Sequence, residues 1–288
     1  MKEEHFLETC DPLDERQFVV AVKRLADSLS YGTDKSPFLG SGVEYVQSRP
    51  YQPGDPIRSI DWRVTGRTGK YFVKEYEAPK RMPAYLLIDT SASMTVSSQA
   101  LSKYAWALQI AGGIAFACLD RVSPVGVLGV GERDFKLRPS LSRDQVMQWL
   151  HKLRHFRYDE KTSLGKRVSE LTPSLANHSL LVILSDLHDP TAVPAIKLAG
   201  QRHDCVVIQL ADPAEADLRG GGFFHAREAE TGKSFVTHGR RTWLEGEEVA
   251  QDLKRGGIDH IVLPTDEPIA HKLRTFMQAR GLLGRGAR

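Results

Sequence analysis

Residues 84–93 read Ala-Tyr-Leu-Leu-Ile-Asp-Thr-Ser-Ala-Ser, an apolar run followed at once by a carboxylate and three small hydroxyl side chains. A continuous apolar run of this kind is typical of a strand that is buried on both faces in a parallel sheet. The D-x-S-x-S stretch at 89–93 therefore leaves the sheet at the carboxyl end of a strand, where open α/β sheets bind ligands. The stretch predicts an α/β domain with a polar site at one sheet edge.

The rest of the chain supports this fold class. From residue 84 onward, apolar strand patterns alternate with helical patterns, which predicts a doubly wound, mostly parallel sheet with helices on both faces. Strands are predicted at 84–89, 124–130, 133–138, 179–185, 204–210 and 258–263, the second and third joined as a hairpin. Helices are predicted at 99–121, 143–154, 163–171, 191–201, 245–256 and 267–280.

The chain is predicted to divide into three parts. Residues 1–39 are expected to form a leader and an N-terminal helix, and residues 40–82 a small β-rich subdomain with aromatic residues among turn formers. Residues 83–288 form the α/β domain. Within it, three consecutive glycines and a following strand pattern predict an inserted hairpin near 218–238.

Composition argues against several classes of protein. The formal net charge of +3 over 288 residues is too small to indicate nucleic-acid binding. The N-terminus lacks the apolar core of a signal peptide, and no apolar run is long enough for a membrane span. Cys10, Cys118 and Cys205 are widely spaced and odd in number, so we expect reduced thiols in a cytoplasmic protein.

Two more oxygen donors stand where a ligand site needs them. Thr162 lies in a polar loop before a predicted helix, and Asp186 ends the apolar run at 180–186. With Asp89, Ser91 and Ser93 they predict a site for Mg²⁺, or for another divalent cation such as Mn²⁺ or Ca²⁺, because hard cations take oxygen ligands. A simpler hypothesis is that the 89–93 residues only cap the next helix. A cap explains one of these residues and leaves Asp186 without a role.

This order of D-x-S-x-S, loop threonine and strand-end aspartate resembles the metal-ion-dependent adhesion site (MIDAS) of von Willebrand factor A (vWA) domains, which have a Rossmann-like fold. The resemblance implies metal-dependent protein binding, in which an Asp or Glu of the partner completes the coordination. It also implies that Ser91, Ser93 and Thr162 ligate the metal directly or through one water, and that the two aspartates act mainly through water.

Residues 40–75 carry a second pattern. It comprises Gly-Ser-Gly-Val-Glu-Tyr at 40–45, Arg-Pro-Tyr-Gln-Pro-Gly-Asp at 49–55, Ile-Asp-Trp-Arg at 60–63 and Val-Lys-Glu at 73–75. On these residues the chain resembles a bacterial and archaeal family known only as a domain of unknown function, whose members have a vWA core and are often encoded beside MoxR-type AAA+ ATPases. The resemblance implies a non-enzymatic adaptor or partner of such an ATPase, or of its client, in complex assembly or maturation.

The charged residues within 40–75 allow two interpretations. The charges within 40–75 either form ion pairs that brace the subdomain or present a docking surface, and arginine suits both roles. These residues are Arg49, Asp55, Arg58, Asp61, Arg63 and Arg67.

Whether the chain catalyses a reaction is also open. A metal-dependent hydrolase on the same face is the alternative function, with His188 as its candidate general base. The sequence carries no G-x-S-x-G elbow and no H-E-x-x-H motif. The Thr-Gly-Lys-Ser stretch at 231–234 lacks the upstream glycine of a P-loop, since position 227 is arginine.

Overall fold

A computed structural model describes residues 13–30, 44–77, 82–133, 135–155, 160–213, 223–227, 234–238 and 245–280. They form two compact units, of which residues 44–77 make up the smaller and the other described residues the larger. Residues 1–12, which are part of the predicted leader, and the three consecutive glycines at 220–222 lie outside the described residues, as does Cys10.

The helices, in chain order, are α1 (Glu15–Ser30), α2 (Trp62–Thr68), α3 (Lys103–Leu119), α4 (Arg143–Arg154), α5 (Leu164–Ser174), α6 (Ala192–Ala199), α7 (Glu245–Arg255) and α8 (Ile269–Arg280). The strands are β1 (Glu44–Pro50), β2 (Phe72–Glu77), β3 (Ala84–Ile88), β4 (Val125–Gly129), β5 (Phe135–Ser140), β6 (Leu180–Ser185), β7 (Asp204–Ala211), β8 (Phe223–Arg227), β9 (Ser234–His238) and β10 (Asp259–Pro264).

The larger unit is built on a six-stranded sheet with the order β10-β7-β6-β3-β4-β5. All neighbouring strands are parallel except β4 and β5, which pair antiparallel as the predicted hairpin. The mixed α/β class and the mostly parallel sheet predicted from the sequence are thus confirmed. Outside this sheet, β8 and β9 pair antiparallel within the segment for which the sequence predicts an inserted hairpin.

Side chains of each central strand alternate between two apolar clusters. Leu86 and Ile88 of β3 belong to the cluster that includes residues of α1, α3, α4 and α8. Leu87 belongs to the second cluster, with residues of α5, α6 and α7. Because successive strand residues point to opposite faces, this division places helices on both sides of the sheet. Burial on both faces explains why the central strands read as continuous apolar runs.

Helix α3 lies at the centre of the first cluster and is buried along nearly its whole length. It approaches α1 closely at Gly112, where a Cβ atom would lie 2.8 Å from both γ carbons of Val22. Valine is branched at Cβ and has little rotamer freedom with which to move aside. The small residue therefore sets the separation of the two helices.

The smaller unit contains a helix that the sequence analysis did not predict. Strands β1 and β2 pair antiparallel as a short ladder, but the segment expected to be a turn between them holds α2. Asp61 begins this helix by accepting hydrogen bonds from the backbone N–H groups of Arg63 (3.1 Å) and Val64 (3.2 Å), and its pKa is lowered first by the hydroxyl of Ser48. The expectation of strands and turns alone was wrong, because this N-cap satisfies the first turn of a helix.

The charged residues of this unit divide into two groups. Arg49 and Asp55 form a two-pronged ion pair with both N–O distances at 2.8 Å, and the Arg49 hydrogen bond is the main cause that lowers the pKa of Asp55 to about 2. By contrast, the side chains of Arg58, Arg63 and Arg67 are exposed. One pair therefore braces the unit internally, while these three arginines face solvent.

Two further findings bear on the class of protein. Within the described ranges, no helix combines the length and apolar character needed to cross a membrane. Cys118 and Cys205 are buried thiols that form no disulfide.

The close approach of α3 and α1 gives the first prediction. Gly112→Ala should lower the free energy of unfolding by about 1–3 kcal/mol, because the added methyl group overpacks a tight contact. Gly66→Ala in α2 is the matched control, since a Cβ there meets nothing within 4 Å and alanine favours helix. Thermal unfolding followed by circular dichroism measures both. Equal melting temperatures for the two variants would contradict the proposed contact.

Candidate functional site

The predicted site lies where the strand order reverses. The chain passes from β3 to β4 on one side and later returns to β6 on the other side of β3. The carboxyl ends of β3 and β6 therefore meet at a topological switch point, where α/β sheets leave a crevice for ligands. The backbone N–H of Asp89 donates to the carbonyl of Leu184 at 2.9 Å, which brings Asp89 beside the end of β6 and Asp186.

A short segment before α5 carries Thr162 into this crevice. The Glu160 carbonyl accepts the N–H of Ala92 at 3.0 Å, and the Val130 carbonyl accepts the N–H of Ser163 at 3.0 Å. The segment is thus held between the D-x-S-x-S loop and the end of β4. As a result the Thr162 hydroxyl donates to Asp89 Oδ2 at 3.3 Å.

The two serines lie on the same loop as Asp89. Their Oγ atoms are 3.0 Å apart, and the backbone N–H of Ser91 donates to Asp89 Oδ1 at 3.1 Å. Asp89 Oδ2 also accepts the Ser185 hydroxyl at 2.6 Å. The fold thus joins Asp89, Ser91, Ser93 and Thr162 through a chain of direct contacts at the end of β3.

Asp186 is buried and contacts a lysine and a histidine, and the sequence analysis missed the lysine. Lys103 Nζ lies 2.9 Å from Asp186 Oδ2, and neither side chain is more than 1% exposed. His188 Nδ1 lies 3.2 Å from the same oxygen. The other oxygen, Oδ1, is buried and accepts no hydrogen bond from the described residues.

Lys103 is the single charged residue of α3. Because a buried charge needs a partner, a single lysine in an otherwise uncharged helix is the sequence signal that could have identified Lys103 as part of a site.

The two aspartates have opposite electrostatic environments. Burial first, and then the negative charge of Asp186, raise the pKa of Asp89 well above its usual range. Burial acts on Asp186 in the same direction, but the hydrogen bond from His188 and the charge of Lys103 outweigh it and hold its pKa below the usual range. Asp89 is therefore the carboxylate with the greater unmet need for positive charge.

Glu160 is a second residue that the sequence analysis missed. Its carboxylate is buried and accepts the Thr90 hydroxyl and, at 2.8 Å, the backbone N–H of Arg133. It therefore ties the threonine-bearing segment to two neighbouring loops. Gly131 leaves the necessary space, because a Cβ atom there would overlap the Glu160 carboxylate and the Thr90 hydroxyl.

The donors fit a hard divalent cation better than a soft one. Within the described part of the chain, no group of three or more His, Cys, Asp or Glu side chains is placed to hold a metal ion. The site instead offers the hydroxyl groups of Ser91, Ser93 and Thr162, together with the Asp89 carboxylate, for which the described residues supply no cationic partner. It also offers the buried, unsatisfied Oδ1 of Asp186. Such oxygen ligands suit Mg²⁺, Mn²⁺ or Ca²⁺.

The packing around Glu160 gives a second prediction. Gly131→Ala should displace the threonine-bearing segment and lower the free energy of unfolding by about 1–3 kcal/mol, because the methyl group has no room. Gly129→Ala is the control, since its Cβ would stay at least 3.2 Å from its neighbours, whereas a Cβ at Gly131 would overlap Glu160 Oε1. Differential scanning calorimetry compares the two. If Gly131→Ala melted no lower than Gly129→Ala, the described packing would be wrong.

Comparison with known proteins gives the chain a family. Uncharacterized proteins of Mycobacterium bovis and of two Mycobacterium tuberculosis strains are 25% identical to it over 222 residues, which cover 75% of this chain and 70% of each relative. The model of a family described as "Protein of unknown function DUF58" matches residues 47–244, a span that includes all five predicted site residues. The chain therefore belongs to the DUF58 family.

Proposed function

We propose that this chain is a non-enzymatic, Mg²⁺-dependent protein-interaction module with a vWA-like core and a MIDAS-like site. Asp89, Ser91, Ser93, Thr162 and Asp186 would hold the metal. Bound Mg²⁺ would supply an electrophilic position for an Asp or Glu carboxylate of a protein partner. By its resemblance to proteins encoded beside MoxR-type AAA+ ATPases, the chain would act in the cytoplasm as an adaptor or partner of such an ATPase, or of its client.

One observation carries the metal site: Asp186 Oδ1 is buried and lacks a hydrogen-bond donor among the described residues, while the charge of Asp186 acts on Asp89. An unsatisfied buried oxygen costs free energy unless a donor or a cation meets it. The second carboxylate, Asp89, has its pKa raised by burial and by Asp186, and a nearby cation would relieve both effects.

The protein's own residues would prepare this site for a partner. Asp89 is oriented by hydrogen bonds from Ser185, Thr162 and the Ser91 backbone, so its side chain is fixed before any metal arrives. Ser93 is only partly buried, which leaves the serine side of the site accessible. Neutral hydroxyl donors leave a bound cation electron-poor, and this favours an additional anionic ligand.

The site assignment gives a third prediction. Ser91→Ala and Thr162→Ala should each weaken Mg²⁺ binding about tenfold or more, because each removes one oxygen ligand. Ser97→Ala is the matched control, because it also removes a serine hydroxyl but not one of the five proposed ligands. The Ser97 hydroxyl donates to Asp212 Oδ2 at 3.0 Å. Isothermal titration calorimetry measures affinity, with circular dichroism to check folding. Unchanged affinity in both site variants would refute the assignment.

A metal-dependent hydrolase is the second candidate function, and one observation favours it. His188 is partly exposed while its Nδ1 contacts Asp186, and a carboxylate that orients an imidazole is a common feature of general-base sites.

The two functions differ in turnover. For the adaptor we expect no hydrolysis of ATP or of a generic phosphoester above background in the presence of Mg²⁺. Phosphate release by wild-type protein is the measurement, with His188→Ala as the comparison. Turnover that His188→Ala abolishes would replace the adaptor proposal with the hydrolase.

A further inference from the structure

The ion pair between Lys103 and Asp186 lies inside the proposed metal site and has no role in a simple ligand set. Lys103 is fully buried in an otherwise uncharged α3, and its Nζ lies 2.9 Å from Asp186 Oδ2. Burying an ammonium group is costly, and replacing a buried ion pair with apolar residues is often neutral or stabilising. A requirement beyond stability is therefore a reasonable explanation for the lysine.

Charge counting shows what the lysine does to the site. Asp89 and Asp186 contribute two negative charges, and the positive charge of Lys103 reduces the net charge of the site to one negative charge. A divalent cation then leaves the site with one net positive charge, and a single carboxylate from a ligand makes it neutral. His188, 3.2 Å from Asp186 Oδ2, acts in the same direction as Lys103 whenever its imidazole is protonated.

Without Lys103, the same arithmetic gives a different site. Two aspartates and a divalent cation would already be neutral, and an incoming carboxylate would leave a buried negative charge. In a buried site of low effective dielectric, such differences are large compared with those in water. The lysine thus disfavours the metal alone and favours the metal together with an anion.

We propose that Lys103 makes metal binding conditional on an anionic ligand, so that the cation and a ligand carboxylate bind cooperatively. This inference rests on the proposed metal site and adds a coupling to it. The coupling is reciprocal: a carboxylate raises the affinity for Mg²⁺ by the same factor as Mg²⁺ raises the affinity for the carboxylate. The protein would then remain largely metal-free until a partner presents an acidic side chain.

The test is a calorimetric titration with Mg²⁺ at constant ionic strength, in chloride and in acetate. Acetate serves as the simplest carboxylate probe. Wild-type protein should bind Mg²⁺ more tightly in acetate. Acetate also complexes Mg²⁺ weakly in solution, but that effect would lower the apparent affinity and so has the opposite sign.

Lys103→Met tests the residue itself. This variant should bind Mg²⁺ about tenfold or more tightly than wild type in chloride, and acetate should no longer help. Lys197→Met is the control, because it removes a lysine of α6 that is partly exposed and lies outside the proposed site. The Nζ atom of Lys197 lies 4.0 Å from Asp252 of α7. It should behave as wild type in both salts.

A second readout covers the loss of folding stability that Lys103→Met is expected to cause, since Asp186 loses its buried partner. Mg²⁺ should raise the melting temperature of Lys103→Met more than that of wild type, because the metal replaces the missing positive charge. Equal Mg²⁺ affinity in wild type and Lys103→Met, with no effect of acetate, would overturn the coupling while leaving the metal site intact. Absence of Mg²⁺ binding in both proteins, in either salt, would overturn the metal site and the coupling with it.

Discussion

The in-register parallel pairing of β3 and β6 is the constraint on which the site depends. Leu87 pairs with Ile183, and Ile88 pairs with Leu184, so that the next residue on β3 reaches the end of β6. Because strand side chains alternate between faces, a slip of one residue would move the side chains of the slipped strand from one apolar cluster to the other. The hydrophobic core thereby fixes the relative positions of two aspartates that repel each other.

Placing two buried aspartates at this sheet edge is energetically unfavourable. Asp89 and Asp186 are both buried, and the charge of each raises the free energy of the other in its ionised form. Lys103 compensates Asp186 in a buried pair, and removing one partner of such a pair typically costs about 3–5 kcal/mol. A sheet edge with only a structural role has no need of these charges. Local conflict with stability of this kind is expected where a chain binds a ligand.

The sequence predicted the regular parts of this architecture because their signals are local. Apolar runs identified the central strands, and the polar residues that follow them placed Asp89 and Asp186 at one edge. Helix α2 was missed because its start at Asp61 resembles a turn over a few residues. Lys103 and Glu160 were missed for a different reason: their partners, Asp186 and Thr90, are 83 and 70 residues away in the chain. Only the tertiary fold reveals such pairs.

The shared use of Asp186 also helps to separate the two proposed functions. In a hydrolase, a carboxylate that supports a histidine base must stabilise the imidazolium formed when the base takes a proton. Here Asp186 already forms a buried ion pair with Lys103, so its negative charge is divided between Lys103 and His188. In the proposed metal-loaded state, the same lysine that weakens this support would also leave the site positive. A positive site favours capture of an anionic ligand. The buried lysine therefore argues for binding as the function of this sheet edge.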